Sequence, residues 1–402
     1  MKIVQINAFY GDGSTGAIVK DLHSMSLKNG IESYVVYSSS SIPEDEIKNS
    51  YKMGSKLSKK LHALLSRVNG RQGYFSKHST RGLLKYLDTI KPDIVHLHNL
   101  HASYINLNML LYYLGRNNIS TVITLHDCWF FTGGCHHYTL EGCNRWQNGC
   151  GDCPKKHKDL KSHFLDKTRK NLEDRKKYFD KIKDLSVVGV SEWISYEAKK
   201  SILKNKKHFV IYNGVDTEFF VNTPSDMRKQ LGLEDKCVIL GLAIKWLDII
   251  NKDAFDYITS NLPSDCAFVL FGCTEEQKKS LPENVIGLGY INDKDTLRKL
   301  YSMADVLINC TREETLSLIN VEPQACGTPV VTYRNTGAKE TVDNVCSFSV
   351  ETGDYKSLFE KVMEIKKNKK STYSDACRSH VINHFDKNKN YMRYIELYKN
   401  IK

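Results

Sequence analysis

The chain contains no run approaching the ~20 apolar residues that a membrane-spanning helix needs, which excludes an integral channel or transporter built from helices. Its first residues, Met1-Lys2-Ile3-Val4-Gln5-Ile6, are too short and too strand-like for a signal peptide, so a cytoplasmic protein is expected. Internal repeats and low-complexity tracts are also missing. The glycine-rich loop Gly11-Asp12-Gly13-Ser14-Thr15-Gly16 is not accompanied by an acidic residue at the end of the second strand, and nicotinamide binding is therefore disfavoured. The segment Asp293-Lys294-Asp295 lies in a helix-start context and reads as a cap rather than a ligand pair, so no catalytic metal is expected. Negative charge is in deficit, with a formal net charge of +12, which suits an anionic partner such as a nucleotide, a phospholipid surface or nucleic acid.

What is present is a globular chain of 402 residues, 41% hydrophobic and 26% charged, long enough for about two domains. Short β-rich runs alternate with helical ones. Lys2 to Ala8, Glu32 to Tyr37, Ile94 to Leu97, Thr121 to Leu125, Leu185 to Val190 and His208 to Tyr212 read as buried strands, with helices at Ile18 to Lys28 and Thr80 to Leu87. After the turn signal Asn213-Gly214-Val215-Asp216 the pattern restarts, with strands at Cys237 to Leu242, Ala267 to Phe271, Val285 to Leu288, Val306 to Asn309 and Pro329 to Thr332. The expected fold class is α/β, two Rossmann-like doubly wound domains facing across a cleft: residues 1–215, residues 216–378, and a C-terminal helix over 379–402 returning to the first domain.

The most specific stretch runs from Glu314 to Glu322 and on through Gly327-Thr328-Pro329. Two carboxylates eight positions apart straddle the first turns of an expected helix, whose unpaired amides and dipole suit a diphosphate. Carboxylates there can accept hydrogen bonds from sugar hydroxyls; an ordinary acidic helix start is the alternative. Cys135, Cys143, Cys150 and Cys153 form a Gly-rich loop over 128–154, for which a closed structural zinc site and free thiols are the two readings, with His136 and His137 as replacement ligands. Between Lys52 and Lys85, cations including Lys56, Lys59, Lys60 and Arg67 flank Leu57, Leu61, Leu64 and Leu65. This is either a membrane-surface helix on an anionic leaflet or a solvated face over a packed stripe.

Taken in order, the Gly-rich first loop, Pro92 to His98, Thr124-Leu125-His126-Asp127, Val190-Ser191-Glu192, Asn213 to Asp216, Ala304-Asp305-Val306, Glu314 to Val331 and Gly337 to Glu340 resemble a retaining family-4 glycosyltransferase of the two-domain GT-B fold, of the sort that assembles bacterial surface polysaccharides. The resemblance implies that Glu322 binds the nucleotide ribose and that Glu314 faces the donor sugar. It further implies that the backbone around Leu316, Ser317 and Leu318 meets the diphosphate, that Gly16 lets a loop approach the donor phosphates, and that His126 lines the cleft. Family members usually carry an Arg and then a Lys after the first strand of the second domain. Here Lys252 matches the lysine, the arginine is missing, and Lys245 is the substitute. Pro323, where Ala is usual, predicts a kink or a late helix start.

The reading is a glycosyltransferase that moves a sugar from a nucleotide-sugar donor to a saccharide or lipid-linked saccharide acceptor, with His126, Glu314 and Lys252 as catalytic residues. It would act on the inner face of the cell membrane without nucleic acid. A sugar-nucleotide epimerase of the same fold and a zinc-stabilised nucleic-acid-binding protein are the alternatives.

Overall fold

The computed structural model describes residues 1–401 and divides into two compact units, Met1–Ile211 with the chain from Tyr391 onward, and Tyr212–Asn390. The expected boundaries at 215/216 and 379 thus give way to 211/212 and 390/391. The helix Ser374–His384 stays in the second unit, and only the later part of the helix Lys387–Ile401 rejoins the first. The physical reason is aromatic: Tyr391, Tyr394, Ile395 and Tyr398 are buried with Ile3, Ile94, Val122 and Val188 in one apolar cluster. Position 379 precedes any such residue on that face.

The first unit holds β1 (Lys2–Ile6), β2 (Glu32–Tyr37), β3 (Ser50–Lys52), β4 (Ile94–Leu97), β5 (Ser120–Leu125), β6 (Leu185–Gly189) and β7 (Lys207–Val210). They form one seven-stranded sheet in the order β3-β2-β1-β4-β5-β6-β7, and every pairing is parallel. The second unit holds β8 (Cys237–Leu242), β9 (Cys266–Phe271), β10 (Val285–Gly287), β11 (Val306–Asn309), β12 (Val330–Tyr333) and β13 (Phe348–Val350). These give a parallel sheet of six strands, ordered β10-β9-β8-β11-β12-β13. Both orders reverse direction beside the first strand of the unit, the doubly wound arrangement in which ligands sit at the carboxyl ends of strands.

Helices cover both faces of the second sheet, so its strands are apolar on both sides. Along β8, Ile239 joins one core cluster while Val238 and Leu240 join the other, as the two-residue period of a strand requires. Three edge strands have only three residues, too few to show a period; of these β10 is on the expected list, while β3 and β13 are absent from it. No helix among the described residues is long and apolar enough to cross a membrane.

Candidate active site

In the second unit the carboxyl end of β11 opens into a loop, 310–317, that leads to the helix Leu318–Ala325. The buried Asn309 organises it. Its Nδ2 donates to Ser317 Oγ at 3.0 Å and to Asn320 Oδ1 at 2.8 Å, and its Oδ1 accepts from the Thr311 amide at 3.1 Å. Ser317 is therefore turned inward by its hydroxyl, and only its backbone faces the helix start. The helix does start late: Glu314 lies in the loop, and Pro323 sits inside the helix.

Glu314 is fixed from outside its own segment. Its amide donates to Thr336 Oγ1 at 2.9 Å, Thr336 Oγ1 donates to Glu314 O at 2.6 Å, and the Gly337 amide donates to the same carbonyl at 3.0 Å. Thr336 holds a φ of 31°, a left-handed backbone that a β-branched residue seldom adopts, and this strain coincides with its grip on Glu314. The Glu314 carboxylate pairs with Lys245 Nζ at 2.9 Å, and the same ammonium donates to Thr311 Oγ1 at 3.2 Å.

Lys252 goes elsewhere. Its ammonium pairs with Asp256 one turn along its own helix, both side chains well exposed. The cation brought in instead is Arg312, from the loop after β11, whose Nε donates to Asn251 Oδ1 at 3.0 Å while Asn251 Nδ2 donates to Lys245 O at 2.9 Å. The arginine that is missing from the segment before Lys252 is thus met in space by one from another strand end. A cation two residues before Glu314 is the sequence signal that points to it.

Glu322 is half-buried in the second turn of the helix and accepts from Tyr301 Oη at 2.9 Å. Burial pushes its carboxyl up to about 7, against smaller opposing effects of the Tyr301 hydrogen bond and Lys294. The Gly-Thr-Pro tail explains how Tyr301 arrives. Gly327, at a φ of 76°, closes the helix end in a left-handed turn. Thr328 then donates its amide to Pro323 O at 2.9 Å and its hydroxyl to Tyr301 O at 2.7 Å, tying the helix Lys294–Met303 to the helix of Glu322.

In the first unit Gly16 is buried in the first turn of the helix Gly13–Lys28, where a Cβ would come within 3.3 Å of Gly11 N and Phe9. The glycine is required by the close return of its own loop, whose Gly11 amide donates to Gly16 O at 2.9 Å. His126, just past β5, faces His98, with Nε2 and Nδ1 3.0 Å apart and the rings stacked. Burial holds His126 down to about 4 and His96 to about 3, so both rings are neutral at physiological pH. Beside them Asp127 Oδ2 lies 3.0 Å from His101 Nε2 and 3.1 Å from His136 Nδ1.

Of the four loop cysteines, Cys135 and Cys153 share a thiol hydrogen bond, and Cys150 Sγ accepts from the Gly133 amide at 3.2 Å. No three of the four thiols converge within one ion's ligand sphere; among the described residues the group that does so is His101, Asp127 and His136.

The helix Lys56–Asn69 is well capped, by a reciprocal Ser55–Ser58 pair at its start and Gly70 at its end. Its buried residues are the polar His62 and Ser66, while Leu57, Leu61 and Leu64 are 77%, 54% and 57% exposed. The apolar stripe therefore faces outward, the reverse of an ordinary surface helix. The exposed Phe164 extends it, because the His163 amide donates to Arg67 O at 2.8 Å. Lys59 does not flank the stripe: it turns inward and donates to Ser38 O and Ser39 Oγ.

Two units, each a doubly wound parallel sheet, are the architecture of the GT-B class of glycosyltransferases. Residues 17–219 match the family described as Glycosyltransferase Family 4, and residues 252–379 match Glycosyl transferases group 1. The chain belongs to glycosyltransferase family 4. It is 23% identical over 362 residues to the Escherichia coli K12 protein described as colanic acid biosynthesis glycosyl transferase WcaC, covering 85% of each chain. In fold it is similar to sucrose-phosphate synthase from Thermosynechococcus elongatus (TM-score 0.72, 16% identity, 100% of this chain and 98% of that one). It is also similar to Anabaena HepE in complex with UDP-glucose (TM-score 0.65, 16% identity, 100% of both chains).

Proposed function

We propose that the protein transfers a sugar from a nucleoside-diphosphate sugar to a saccharide acceptor carried on a lipid, with retention of anomeric configuration, in polysaccharide biosynthesis. The observation that carries this reading is the Lys245–Glu314 pair before the start of the Leu318–Ala325 helix, with Glu322 half-buried in the second turn of that helix. The WcaC likeness supports the pathway, and the UDP-glucose complex of HepE supports the donor class.

Within this reading the ribose hydroxyls donate to Glu322, and Glu314 accepts from the transferred sugar. Departure of the diphosphate places negative charge on the phosphate oxygen, and fixed cations and helix amides there lower the barrier. Lys245, Arg312 and the first amides of the helix at Leu318 supply them, and Lys252 joins them only by leaving its exposed pair with Asp256. The anomeric carbon–phosphate oxygen bond breaks as the acceptor oxygen bonds from the same face, and the acceptor's proton passes to the leaving phosphate. His126, neutral at working pH, offers hydrogen bonds rather than charge. Mass spectrometry and anomeric NMR of products from a nucleotide-sugar donor panel, with a lipid-linked extract as acceptor, test the reading. Donor isomerisation without transfer, or inverted product, would overturn it.

Arg312→Ala is expected to weaken nucleoside-diphosphate binding by about 1.5 to 3 kcal/mol, the worth of a hydrogen bond to a charged group. Titration calorimetry should find little effect on the nucleoside lacking phosphate. Equal loss for both ligands would show that Arg312 only supports Asn251.

The outward apolar face of the Lys56–Asn69 helix is proposed to rest on an anionic bilayer, where the acceptor's lipid is met. A fully buried Leu side chain is worth about 1.5–3 kcal/mol and each nearby cation about 1 kcal/mol. Replacing Leu57, Leu61 and Leu64 together with Ser is expected to abolish sedimentation with anionic vesicles, and Lys56, Lys60 and Arg67 to Gln to make residual binding insensitive to salt. Activity on a short soluble acceptor should persist in both. Unchanged vesicle binding in the Leu variant would remove this face from the interaction.

A further inference from the structure

The geometry points to a divalent metal site in the first unit, of the zinc class, formed by His101 Nε2, Asp127 Oδ2 and His136 Nδ1. These atoms come from three separate segments: the loop after β4, the residue pair after β5, and the Cys-rich loop. All three lie within 4.8 Å of one another, at contacts of 3.0 and 3.1 Å to the shared carboxylate oxygen. Ligands about 2.0–2.1 Å from a tetrahedral zinc are separated by about 3.3 Å, so the set closes around an ion with small movements.

A plain hydrogen-bonded Asp between two histidines is the competing account; it covers His136, whose Nδ1 is hydrogen-bonded to Asp127 Oδ2, but leaves His101 over. His101 Nε2 sits 3.0 Å from Asp127 Oδ2, yet it is buried and makes no well-formed hydrogen bond. The His101 and His136 rings stand 4.3 Å apart at 76°, which keeps them from stacking and lets both nitrogens face one position.

Outer groups hold each ligand. The Asp127 Oδ1 accepts from the Trp129 amide at 2.8 Å, the Gln72 amide donates to His101 O at 2.8 Å, and the His136 backbone is tied at both ends, donating to Asp159 Oδ2 at 3.0 Å and accepting from the Cys128 amide at 2.8 Å. Such supports fix ligand orientation in metal sites. Two imidazoles and a carboxylate suit zinc, which in open sites takes water as its fourth ligand. Asp159 adds negative charge near His136 and Lys155 opposes it, while Arg175 interacts with Asp127. An ion here would clamp the Cys-rich loop to the end of β5, next to His126. The inference does not depend on the donor reading above.

The full chain, purified without a polyhistidine tag or chelator, is expected to carry about one zinc ion. After exchange for cobalt(II) it should show ligand-field bands in the visible, without the intense near-ultraviolet thiolate-to-cobalt band. His101→Gln with His136→Gln should lose the ion, while Cys150→Ser with Cys153→Ser should keep it. A thiolate band in the wild-type cobalt protein would place the ion on the four cysteines and overturn the assignment. Absence of any tightly held metal, or retention of it in the double His variant, would do the same. The wild-type spectrum decides even where a variant fails to fold.

Discussion

Glu314→Ala is expected to lose turnover while holding nucleoside diphosphate as well as the wild type does, whereas Glu322→Ala is expected to lose the nucleotide itself. In the free protein Glu314 spends its charge on Lys245 at 2.9 Å. Its removal deletes an acceptor for sugar hydroxyls and releases an ammonium toward the phosphates, so nucleotide affinity stays level or rises. Glu322 has no cation at hydrogen-bonding distance, only the Tyr301 hydroxyl, and is placed to receive ribose hydroxyls. A charge-assisted bond is worth about 1.5 to 3 kcal/mol, so each variant should lose about ten- to a hundredfold in its own quantity. Calorimetry with UDP and GDP, beside initial rates with the preferred donor, measures both. Equal nucleotide affinity in both variants and wild type would remove the assignment.

The second expectation is a pH dependence of nucleotide binding set by Glu322. Burial lifts its carboxyl to about 7, so the free protein is mostly protonated there below neutrality. Ribose hydroxyls need an acceptor, and the ionised form provides the stronger one. Affinity should therefore rise with pH through about 7, changing about tenfold between pH 6 and pH 8, with a proton released on binding. Glu322→Gln keeps an oxygen for Tyr301 and cannot ionise, so its affinity should follow only the nucleotide's own titration.

Stability should move the opposite way. A carboxyl whose folded value lies above its unfolded one, here 4.5, stabilises the fold below 4.5 and loses that contribution as pH rises through about 7. Denaturant titrations at pH 5 and pH 8, wild type against Glu322→Gln, should show the wild type losing stability relative to the variant at the higher pH. The same slope in both proteins would place the ionisation elsewhere.

Much of the architecture is legible locally. Runs such as Cys237 to Leu242 and Ala267 to Phe271 are apolar on both faces and bounded by turn residues, which is how a central parallel strand reads. The edge strands Ser50–Lys52 and Phe348–Val350 are not legible, because a short edge strand needs no buried run. Pro323 does not set the helix start: it lies inside Leu318–Ala325, past the first turn where a missing amide goes unnoticed. The stripe on Leu57 to Val68 shows the limit of periodicity. Its spacing is the same whether the face meets core or solvent, and only the inward anchors His62 and Ser66 show that it points out.

The sequence by itself determined two parallel α/β units, the Glu314–Glu322 spacing with its Gly-Thr-Pro tail, and the segments from which a site could be drawn, because these rest on interactions between near neighbours in the chain. Tertiary structure alone decided which side chains meet. Arg312 reaches Asn251, Thr336 grips Glu314, Tyr301 caps Glu322, and His101, Asp127 and His136 share one point. In a parallel sheet the carboxyl ends of strands distant in sequence gather along one edge, so the groups that touch there come from crossovers whose lengths carry no record of the meeting.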